Sequence, residues 1–252
     1  MTAPRILIYD VETTPNLGWT WGKWQQNVMR FKQHWHVLTV SWKWRGEKKV
    51  YVEGLDDYVN YKPGSTDDSA LAWLLHDLFE EADIAITHNG NAFDQPKART
   101  RMSVHHIPPP SPFKEIDTLK VARKHFAFTS NSLEDLCQQL GLDLKGKPGI
   151  DTWFGCMEGD PKAWARMKRY NRNDVVILEQ LYDRFLPWID GHPNLALMSD
   201  KPDGCPRCGG TSLKSWGWRY YQVSKRRRFR CTECHAFCYG RTLEKSDVAL
   251  VP

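Results

Sequence analysis

The feature that most constrains this chain lies near its end, where two pairs of cysteines stand at a regular spacing. The segments CPRCGG and CTEC give the pattern C-x2-C-x22-C-x2-C, formed by Cys205, Cys208, Cys231 and Cys234. Each pair makes a tight turn that aims two sulfurs at one point, and two such turns complete the tetrahedral thiolate shell that Zn²⁺ prefers. The spacing therefore predicts one structural Zn²⁺ in a small zinc ribbon, with redox-active cysteines as the alternative.

The segment between the cysteine pairs, WGWRYYQVSKRRRFR, combines strand-forming aromatic residues with positive charge. From Asp200 onward, eleven Lys and Arg stand against five Asp and Glu, a surplus larger than the net charge of +5 for the whole chain. A basic cluster with one aromatic residue offers phosphate contacts and a stacking surface: Lys225, Arg226, Arg227, Arg228, Phe229 and Arg230. This composition predicts binding of single-stranded nucleic acid, with a solvated hairpin tip as the alternative.

The other cysteines and the N-terminus limit the class of protein. Cys238 and His235 lie close enough in sequence to replace one zinc ligand, whereas Cys137 and Cys156 fall in helix-like stretches and are expected to be buried apolar groups. The N-terminus has no export signal, and no apolar run approaches the roughly 20 residues that span a bilayer. We therefore expect a cytoplasmic protein that does not contact a membrane.

The chain ahead of the ribbon has the pattern of an α/β fold. Residues 5–12 predict a strand, HVLTVSWKW and RGEKKVYVEGL predict a hairpin that turns near Gly46, and DIAITHN and FKEIDT predict two more strands. Helices are predicted in DDSALAWLLHDLFEEA, near FDQPKART and from the capping sequence SLED at Ser132. Because a hairpin is antiparallel and helical crossovers give parallel pairs, we expect a mixed β-sheet flanked by helices. The predicted domains are a body over 1–190, a linker over 191–203 and the ribbon over 204–252.

The first strand carries two carboxylates at its end. Because side chains alternate along a strand, Asp10 and Glu12 in ILIYDVET project from the same face. Two anions held together repel each other unless a cation lies between them or one is protonated. Taken alone, the pair is also compatible with an exposed strand end.

Two further motifs add polar residues that suit the same chemistry. Asp94 ends HNGNAFD, directly after a predicted strand, and is either a ligand or a helix cap ahead of Pro96. Tyr170 and Asp174 stand four residues apart in RYNRNDVVILEQL, so they share one face of a helix. Clustered carboxylates without His or Cys select hard cations such as Mg²⁺ or Mn²⁺.

Together these motifs resemble the DEDD superfamily of exonucleases, in the subgroup that has Tyr in its last motif. The resemblance runs from about Arg5 to Trp188, and the wider set of segments, with the ribbon ending in CYGR, is similar to phage-encoded members that carry a zinc ribbon. It implies an RNase H-like fold, two divalent metal ions and removal of nucleotides from a 3′ end. For a phage-encoded member, the location would be the host cytoplasm.

The resemblance also implies a role for each matching residue. Asp10 would bridge both metal ions, Glu12 and Asp174 would hold the ion that binds the attacking water, and Asp94 would support the second ion. Tyr170 would orient the water, since a phenol with a pKa near 10 is a poor base at neutral pH. Two ions about 3.5 to 4 Å apart can activate water and stabilise the leaving oxygen in one in-line displacement.

Aromatic residues after the first strand are candidate contacts to bases. Trp19, Trp21 and Trp24 either stack on a frayed 3′ end or pack in the core, whereas Trp42 and Trp44 are expected to cover one face of the sheet. We expect His88 to be a hydrogen-bonded structural residue and Asp117 to cap a helix.

The sequence thus predicts a metal-dependent 3′-to-5′ exonuclease with a ribbon that grips nucleic acid. Single-stranded 3′ ends and DNA are the favoured substrates, and replication or repair proteins are candidate partners. A nucleic-acid-binding adaptor that has lost turnover and a structure-specific endonuclease on the same fold are the alternatives.

Overall fold

A computed structural model describes residues 4–24, 27–142, 146, 148–199 and 201–241, together with the backbone of 244–245. The chain divides into two compact units. The body unit consists of Arg5–Lys120 and Phe128–Leu181, and the C-terminal unit consists of Met1–Pro4, Val121–Ala127 and Tyr182–Pro252. The domain boundaries at 190 and 203 stay a prediction, and the predicted domains and linker include residues 1–3, 200 and 246–252, which lie outside the described residues.

Strands and helices alternate along most of the body unit. The strands of the chain are β1 (Ile6–Thr13), β2 (Leu17–Trp19), β3 (Arg30–Gln33), β4 (Val37–Trp44), β5 (Tyr51–Gly54), β6 (Ile84–Thr87), β7 (Lys114–Asp117), β8 (Leu213–Tyr220), β9 (Ser224–Cys231), β10 (Phe237–Tyr239) and β11 (Glu244–Lys245). The helices are α1 (Ser69–Glu81), α2 (Asp94–Val104), α3 (Thr118–His125), α4 (Leu133–Leu140), α5 (Asp151–Glu158) and α6 (Pro161–Phe185), with single 3₁₀ turns at Leu55–Asp57 and Leu186–Trp188.

The central sheet is mixed, as predicted. Its five strands lie in the order β5-β4-β1-β6-β7. Strands β4 and β5 form the expected hairpin and β4 pairs antiparallel with β1, whereas β1, β6 and β7 are parallel to one another. Because β1 lies in the middle, its first four side chains are all buried apolar groups. The carboxyl ends of the three parallel strands consequently meet at one edge of the sheet.

The core of the body unit packs helices against this sheet. Tyr9 of β1 contacts Phe79 of α1 edge to face, with ring centroids 5.2 Å apart. Trp42 and Trp44 are buried, which confirms that they cover the sheet. Ser132 begins α4 as its cap, since its hydroxyl oxygen accepts the Asp135 backbone N–H at 3.2 Å.

The turn after β6 needs two unusual backbone positions. Asn89 adopts a left-handed conformation with φ of 70°, which Asn tolerates better than most residues. A Cβ at Gly90 would lie 2.0 Å from the hydroxyl oxygen of Thr87, so only glycine fits there. The chain therefore turns tightly between the end of β6 and the start of α2.

Two short strands, β2 and β3, form a hairpin directly after β1 that the sequence analysis did not predict. It carries Trp19 with 58% of its surface exposed, and Trp21 and Trp24 beside it are 87% and 75% exposed. These values exclude core packing as the role of the three side chains. The sequences of β2 and β3 show no sustained alternation of apolar and polar residues, because neither face of the hairpin is buried.

The ribbon is a separate sheet within the C-terminal unit. Strand β9 pairs antiparallel with β8, β10 and β11, and the pairing of β8 with β9 is interrupted by a bulge between Ser215 and Trp218. Across the described parts of both units, no helix is sufficiently long and apolar to cross a membrane.

Candidate metal centres

The first candidate centre begins with the two carboxylates of β1. Asp10 pairs in register with Ser41 and Glu12 with Thr39 on the antiparallel neighbour β4, so the two acidic side chains share one face of the sheet. They stand near the carboxyl end of β1, next to the parallel strand β6. This is the edge at which open α/β sheets commonly bind ligands.

Helix α6 brings the third carboxylate to this edge. One oxygen each from Asp10, Glu12 and Asp174 lies within 4.8 Å of the other two. The hydroxyl of Tyr170, one helical turn before Asp174, donates a hydrogen bond to the Asp174 carboxylate. The structure therefore brings together four of the five predicted site residues in one group.

Asp94 lies beside this group but does not belong to it within the part of the chain that the structure describes. Its side chain is buried, and Oδ1 accepts the backbone N–H of Val11 at 3.1 Å. Asp94 is the first residue of α2, one position after the N-cap Phe93, so it is not the helix cap; its carboxylate accepts the backbone N–H groups of Val11 and of Asp94 itself. It fixes the backbone between Asp10 and Glu12.

Crowding of negative charge is visible in the pKa values of these groups. Burial raises the pKa of Asp10 from 3.8 to about 6, although a hydrogen bond from Asn171 opposes the change. Burial and the charges of Asp10 and Asp174 raise the pKa of Glu12 well above its usual range. Burial and the charge of Asp10 do the same to the pKa of Asp94. Without a cation, this arrangement disfavours the ionised forms of Asp10, Glu12 and Asp94.

Two residues that the sequence analysis missed hold the carboxylates in place. Asn171 is fully buried and its amide Nδ2 donates to Asp10 Oδ2 at 2.5 Å. The side chain of Trp153 on α5 donates a hydrogen bond to Glu12, and its ring contacts that of Tyr170 with centroids 6.2 Å apart. Asn171 was detectable from its position three residues before Asp174 on the same helix, whereas no spacing pointed to Trp153.

Two residues expected to be structural have structural contacts. Asp117 accepts the backbone N–H groups of Asn89 and Leu119, both at 2.9 Å, so it fixes the turn after β6 and caps α3. His88 lies within hydrogen-bond distance of the Thr118 hydroxyl and the Asn131 carbonyl. Neither residue belongs to the group of three carboxylates among the described residues.

The donor set at this edge fits a hard divalent cation. All ligand atoms are carboxylate oxygens, which Mg²⁺ and Mn²⁺ prefer. A cation within reach of the three oxygens would offset the burial that raises the pKa of Asp10, and the burial and repulsion that raise the pKa of Glu12. The residues that could hold it are Asp10, Glu12 and Asp174, with Asp94 close by.

The second candidate centre is the cysteine group of the ribbon. Ligand sulfurs of all four predicted cysteines lie within 4.8 Å of one another, and the Cys205–Cys234 and Cys208–Cys231 pairs are each 3.7 Å apart. A tetrahedral shell with Zn–S bonds of about 2.3 Å places its sulfurs about 3.8 Å apart, so the group has the dimensions of a zinc site. His235 and Cys238 are not part of it among the described residues. Burial raises the pKa of the Cys238 thiol to about 11, so this thiol stays protonated at neutral pH.

Comparison with known proteins gives a family and a fold. A family model described as RNase H superfamily matches residues 36–186, more than half of the chain. In structure, the chain is similar to the family B DNA polymerase from the hyperthermophilic archaeon Pyrobaculum calidifontis, with 15% identity and a TM-score of 0.54. The likeness covers 88% of this chain but only 32% of the polymerase, and at this identity it extends to the fold alone. No curated protein sequence matches the chain.

Proposed function

Because the chain belongs to the RNase H superfamily, we propose that it is a divalent-metal-dependent 3′-to-5′ exonuclease that hydrolyses phosphodiester bonds of nucleic acid. The observation that carries the proposal is the meeting of Asp10, Glu12 and Asp174 within 4.8 Å, next to the Tyr170 hydroxyl. Polarity and the preference for DNA rest on the resemblance to the Tyr subgroup of the DEDD exonucleases.

The carboxylates would hold two Mg²⁺ or Mn²⁺ ions. When bound, such ions supply an activated water and neutralise charge on the leaving oxygen. Asp10 would be shared between the ions, Glu12 and Asp174 would hold the one that carries the attacking water, and Asp94 would support the second. Asn171 and Trp153 would keep the Asp10 and Glu12 side chains in a fixed orientation through their hydrogen bonds.

Tyr170 would act as a positioned hydrogen-bonding group. Burial and the charges of Asp174, Glu12 and Asp10 raise the pKa of its phenol well above the usual value. The hydroxyl consequently keeps its proton at neutral pH and does not act as a general base. Its bond to Asp174 would orient the attacking water relative to the scissile phosphate.

Two further surfaces would bind the substrate strand. The exposed rings of Trp19 and Trp21 follow directly after β1 in the chain and offer stacking surfaces for bases. In the C-terminal unit, a ribbon held by one Zn²⁺ on Cys205, Cys208, Cys231 and Cys234 would add cationic contacts to phosphates. Both features favour a single strand, since stacking requires unpaired bases.

Degradation of 5′-labelled single-stranded DNA and RNA oligonucleotides tests this function. Wild-type protein, Asp10→Ala and the exposed carboxylate control Glu134→Gln would be compared with Mg²⁺, Mn²⁺ or a chelator. We expect a descending ladder of labelled products that requires a divalent cation and Asp10 but not Glu134. Immediate release of a labelled mononucleotide would contradict the 3′-to-5′ direction.

The same assay separates the alternatives. Cleavage of circular single-stranded DNA would identify an endonuclease, because a circle has no 3′ end. If the protein binds the DNA and RNA oligonucleotides but cleaves neither with Mg²⁺ or Mn²⁺, it is a nucleic-acid-binding adaptor.

A further inference from the structure

The register of the ribbon separates its positive charges onto two faces. Side chains alternate along a strand, so β9 directs Arg226, Arg228 and Arg230 to one side and Lys225 and Arg227 to the other. Cross-strand pairs extend the first side to both neighbouring strands. Its members are Lys214 opposite Arg230, Arg219 opposite Arg226, Phe237 opposite Arg230 and Tyr239 opposite Arg228.

Trp216 joins this side from the bulge in β8. Its ring lies 6.3 Å from that of Phe237 and 5.4 Å from the guanidinium of Arg230. We name this side the arginine face, and its members are Lys214, Trp216, Arg219, Arg226, Arg228, Arg230, Phe237 and Tyr239. The cluster that looked continuous in sequence is therefore divided between two surfaces of the sheet.

On the arginine face, exposed rings and guanidinium groups lie side by side. Trp216, Phe237 and Tyr239 each leave more than two fifths of their surface exposed. Arg228 lies 5.4 Å from the Phe237 ring centroid, and its Nε donates to the backbone carbonyl of Trp216 at 3.1 Å, which fixes the guanidinium beside the rings. Arg219 lies 4.7 Å from the Tyr239 ring centroid. Stacking surfaces next to fixed cations are what a flexible polyanion with flat bases requires.

The opposite face carries one strongly exposed ring, Tyr220 opposite Lys225, whereas its other two rings are less available. Phe229 is half-buried, lies opposite the buried Cys238 and comes within contact distance of Gly240. The half-buried ring of Trp218 lies 4.4 Å from the Lys225 ammonium and 4.3 Å from the Arg227 guanidinium, so cations of the ribbon itself already flank it. Phe229, the stacking residue suggested by the sequence, is thus a half-buried ring on the side away from the arginine face.

Within residues 201–241, no salt bridge neutralises the charge of the arginine face. In residues 201–241, the acidic side chains are Asp203 and Glu233, and the Glu233 carboxylate accepts the Ser212 backbone N–H and lies beside Gly210. No salt bridge among the described residues involves a cation of this face. A partner that binds here must therefore supply negative charge, which excludes an apolar or basic segment.

We propose that the arginine face binds single-stranded DNA, with bases stacked on Trp216 and Phe237 and phosphates bound by Arg228 and Arg230. The proposal deepens the proposed function and rests on it only for the choice of DNA. Contacts of this kind grip the backbone and any base, so binding is independent of sequence. The opposite face contributes far less, although it carries cations from the same strand.

A comparison of two double variants of β9 tests this assignment. Both are made in the full-length, zinc-loaded Asp10→Ala protein, so the substrate stays intact. Arg228→Gln with Arg230→Gln alters the arginine face, and Lys225→Gln with Arg227→Gln removes the same charge from the opposite face. Anisotropy of a labelled oligothymidylate of 30 nucleotides, measured from low to moderate salt, gives the dissociation constant and its salt dependence.

We expect the arginine-face pair to raise the dissociation constant at least tenfold and to reduce the salt slope by about 1.4, since each phosphate contact on a single strand contributes about 0.7. The control pair should change the constant less than threefold. Trp216→Ala should weaken binding without changing the salt slope. Equal losses from both pairs, or no loss from the arginine-face pair, would overturn the assignment.

Zinc content and circular dichroism identify any variant whose ribbon has unfolded. Trp216→Phe retains an aromatic ring, so it should bind the oligonucleotide more tightly than Trp216→Ala does. Because binding is measured without cleavage, absence of nuclease activity leaves this test intact. Conversely, an arginine-face variant with an intact Asp10 should still shorten an oligonucleotide of 8 nucleotides if the proposed function holds.

Discussion

The described residues include two groups of candidate metal ligands that are built in opposite ways. Asp10, Glu12 and Asp174 come from a strand and a helix that lie far apart in the sequence and are held by the core of the body unit. The four cysteines come from two short turns on a small sheet with few buried side chains. Oxygen ligands and a large core characterise the first group, and sulfur ligands with little core characterise the second.

This difference indicates whether the protein core or the metal ion supplies the folding energy of each site. In the body unit, the protein forces like charges together and a cation would relieve the strain, as is typical of functional sites. In the ribbon, binding of a metal ion would itself stabilise a unit too small to fold on its core. Removal of metal should therefore abolish activity in one unit and structure in the other.

The largest expected effect is loss of zinc from the ribbon. Cys231→Ser leaves three sulfurs, and structural zinc sites contribute on the order of 10 kcal/mol to folding. We expect loss of bound zinc, unfolding of the ribbon and weaker binding of long strands, while the body unit still cleaves short strands. Zinc content by atomic absorption checks this, with Cys137→Ser, a cysteine outside the group of four, as a control. An unchanged zinc content in Cys231→Ser would refute the ligand assignment.

The next effect is on catalysis alone. Asp174→Asn removes one ligand charge, and several kcal/mol of transition-state stabilisation corresponds to a rate reduced on the order of 10³-fold. Circular dichroism and the midpoint of thermal unfolding should stay close to those of the wild type. A variant that cleaves 5′-labelled oligonucleotides at the wild-type rate would remove Asp174 from the catalytic site.

The third prediction concerns the contribution of a buried ion pair to the stability of the body unit. Asp68 is fully buried and accepts hydrogen bonds from Arg101, with Nε and Nη2 2.5 to 2.9 Å from its oxygens, and from the Val37 backbone at 2.7 Å. Arg101→Ala would remove the guanidinium from this buried charge and leave His105 Nε2, 2.6 Å from Oδ1, as its side-chain partner, and should cost about 3 kcal/mol in the free energy of unfolding. The exposed pair of Arg99 with Glu115 is the matched control, and Arg99→Ala should cost less than about 1 kcal/mol. Similar losses in urea denaturation of both variants would contradict the distinction.

The smallest expected effect is an increase in stability, in contrast to the loss expected for Arg101→Ala. An acid whose pKa is raised in the folded state, from 3.8 to about 6 for Asp10, costs stability above the folded pKa and costs none below the unfolded pKa. In a chelator, Asp10→Asn should therefore unfold a few degrees above the wild type at pH 7, with the difference vanishing as the pH falls from about 6 to about 4. Asp117→Asn should instead lower the midpoint, because that carboxylate accepts backbone N–H groups. An Asp10→Asn midpoint below that of the wild type at pH 7 would exclude the proposed cost of burying this charge.

The sequence predicted those parts of the molecule that depend on local spacing. The alternation around Asp10 and Glu12, the helical interval from Tyr170 to Asp174 and the cysteine spacing each determine a geometry within a few residues. The hairpin β2–β3 and the contacts of Trp153 depend on tertiary packing, which leaves no periodic signal. The division of the basic cluster between two faces likewise required the register of β9.

The most direct test of the central claim is a measurement of Mn²⁺ binding to the zinc-loaded protein by titration calorimetry. If these carboxylates form a metal site, the wild-type protein should bind Mn²⁺. Asp10→Asn should lose this binding, and the control Glu134→Gln should retain it. If Asp10→Asn binds Mn²⁺ with the affinity and stoichiometry of the wild type, the carboxylates at the end of β1 are not a metal site.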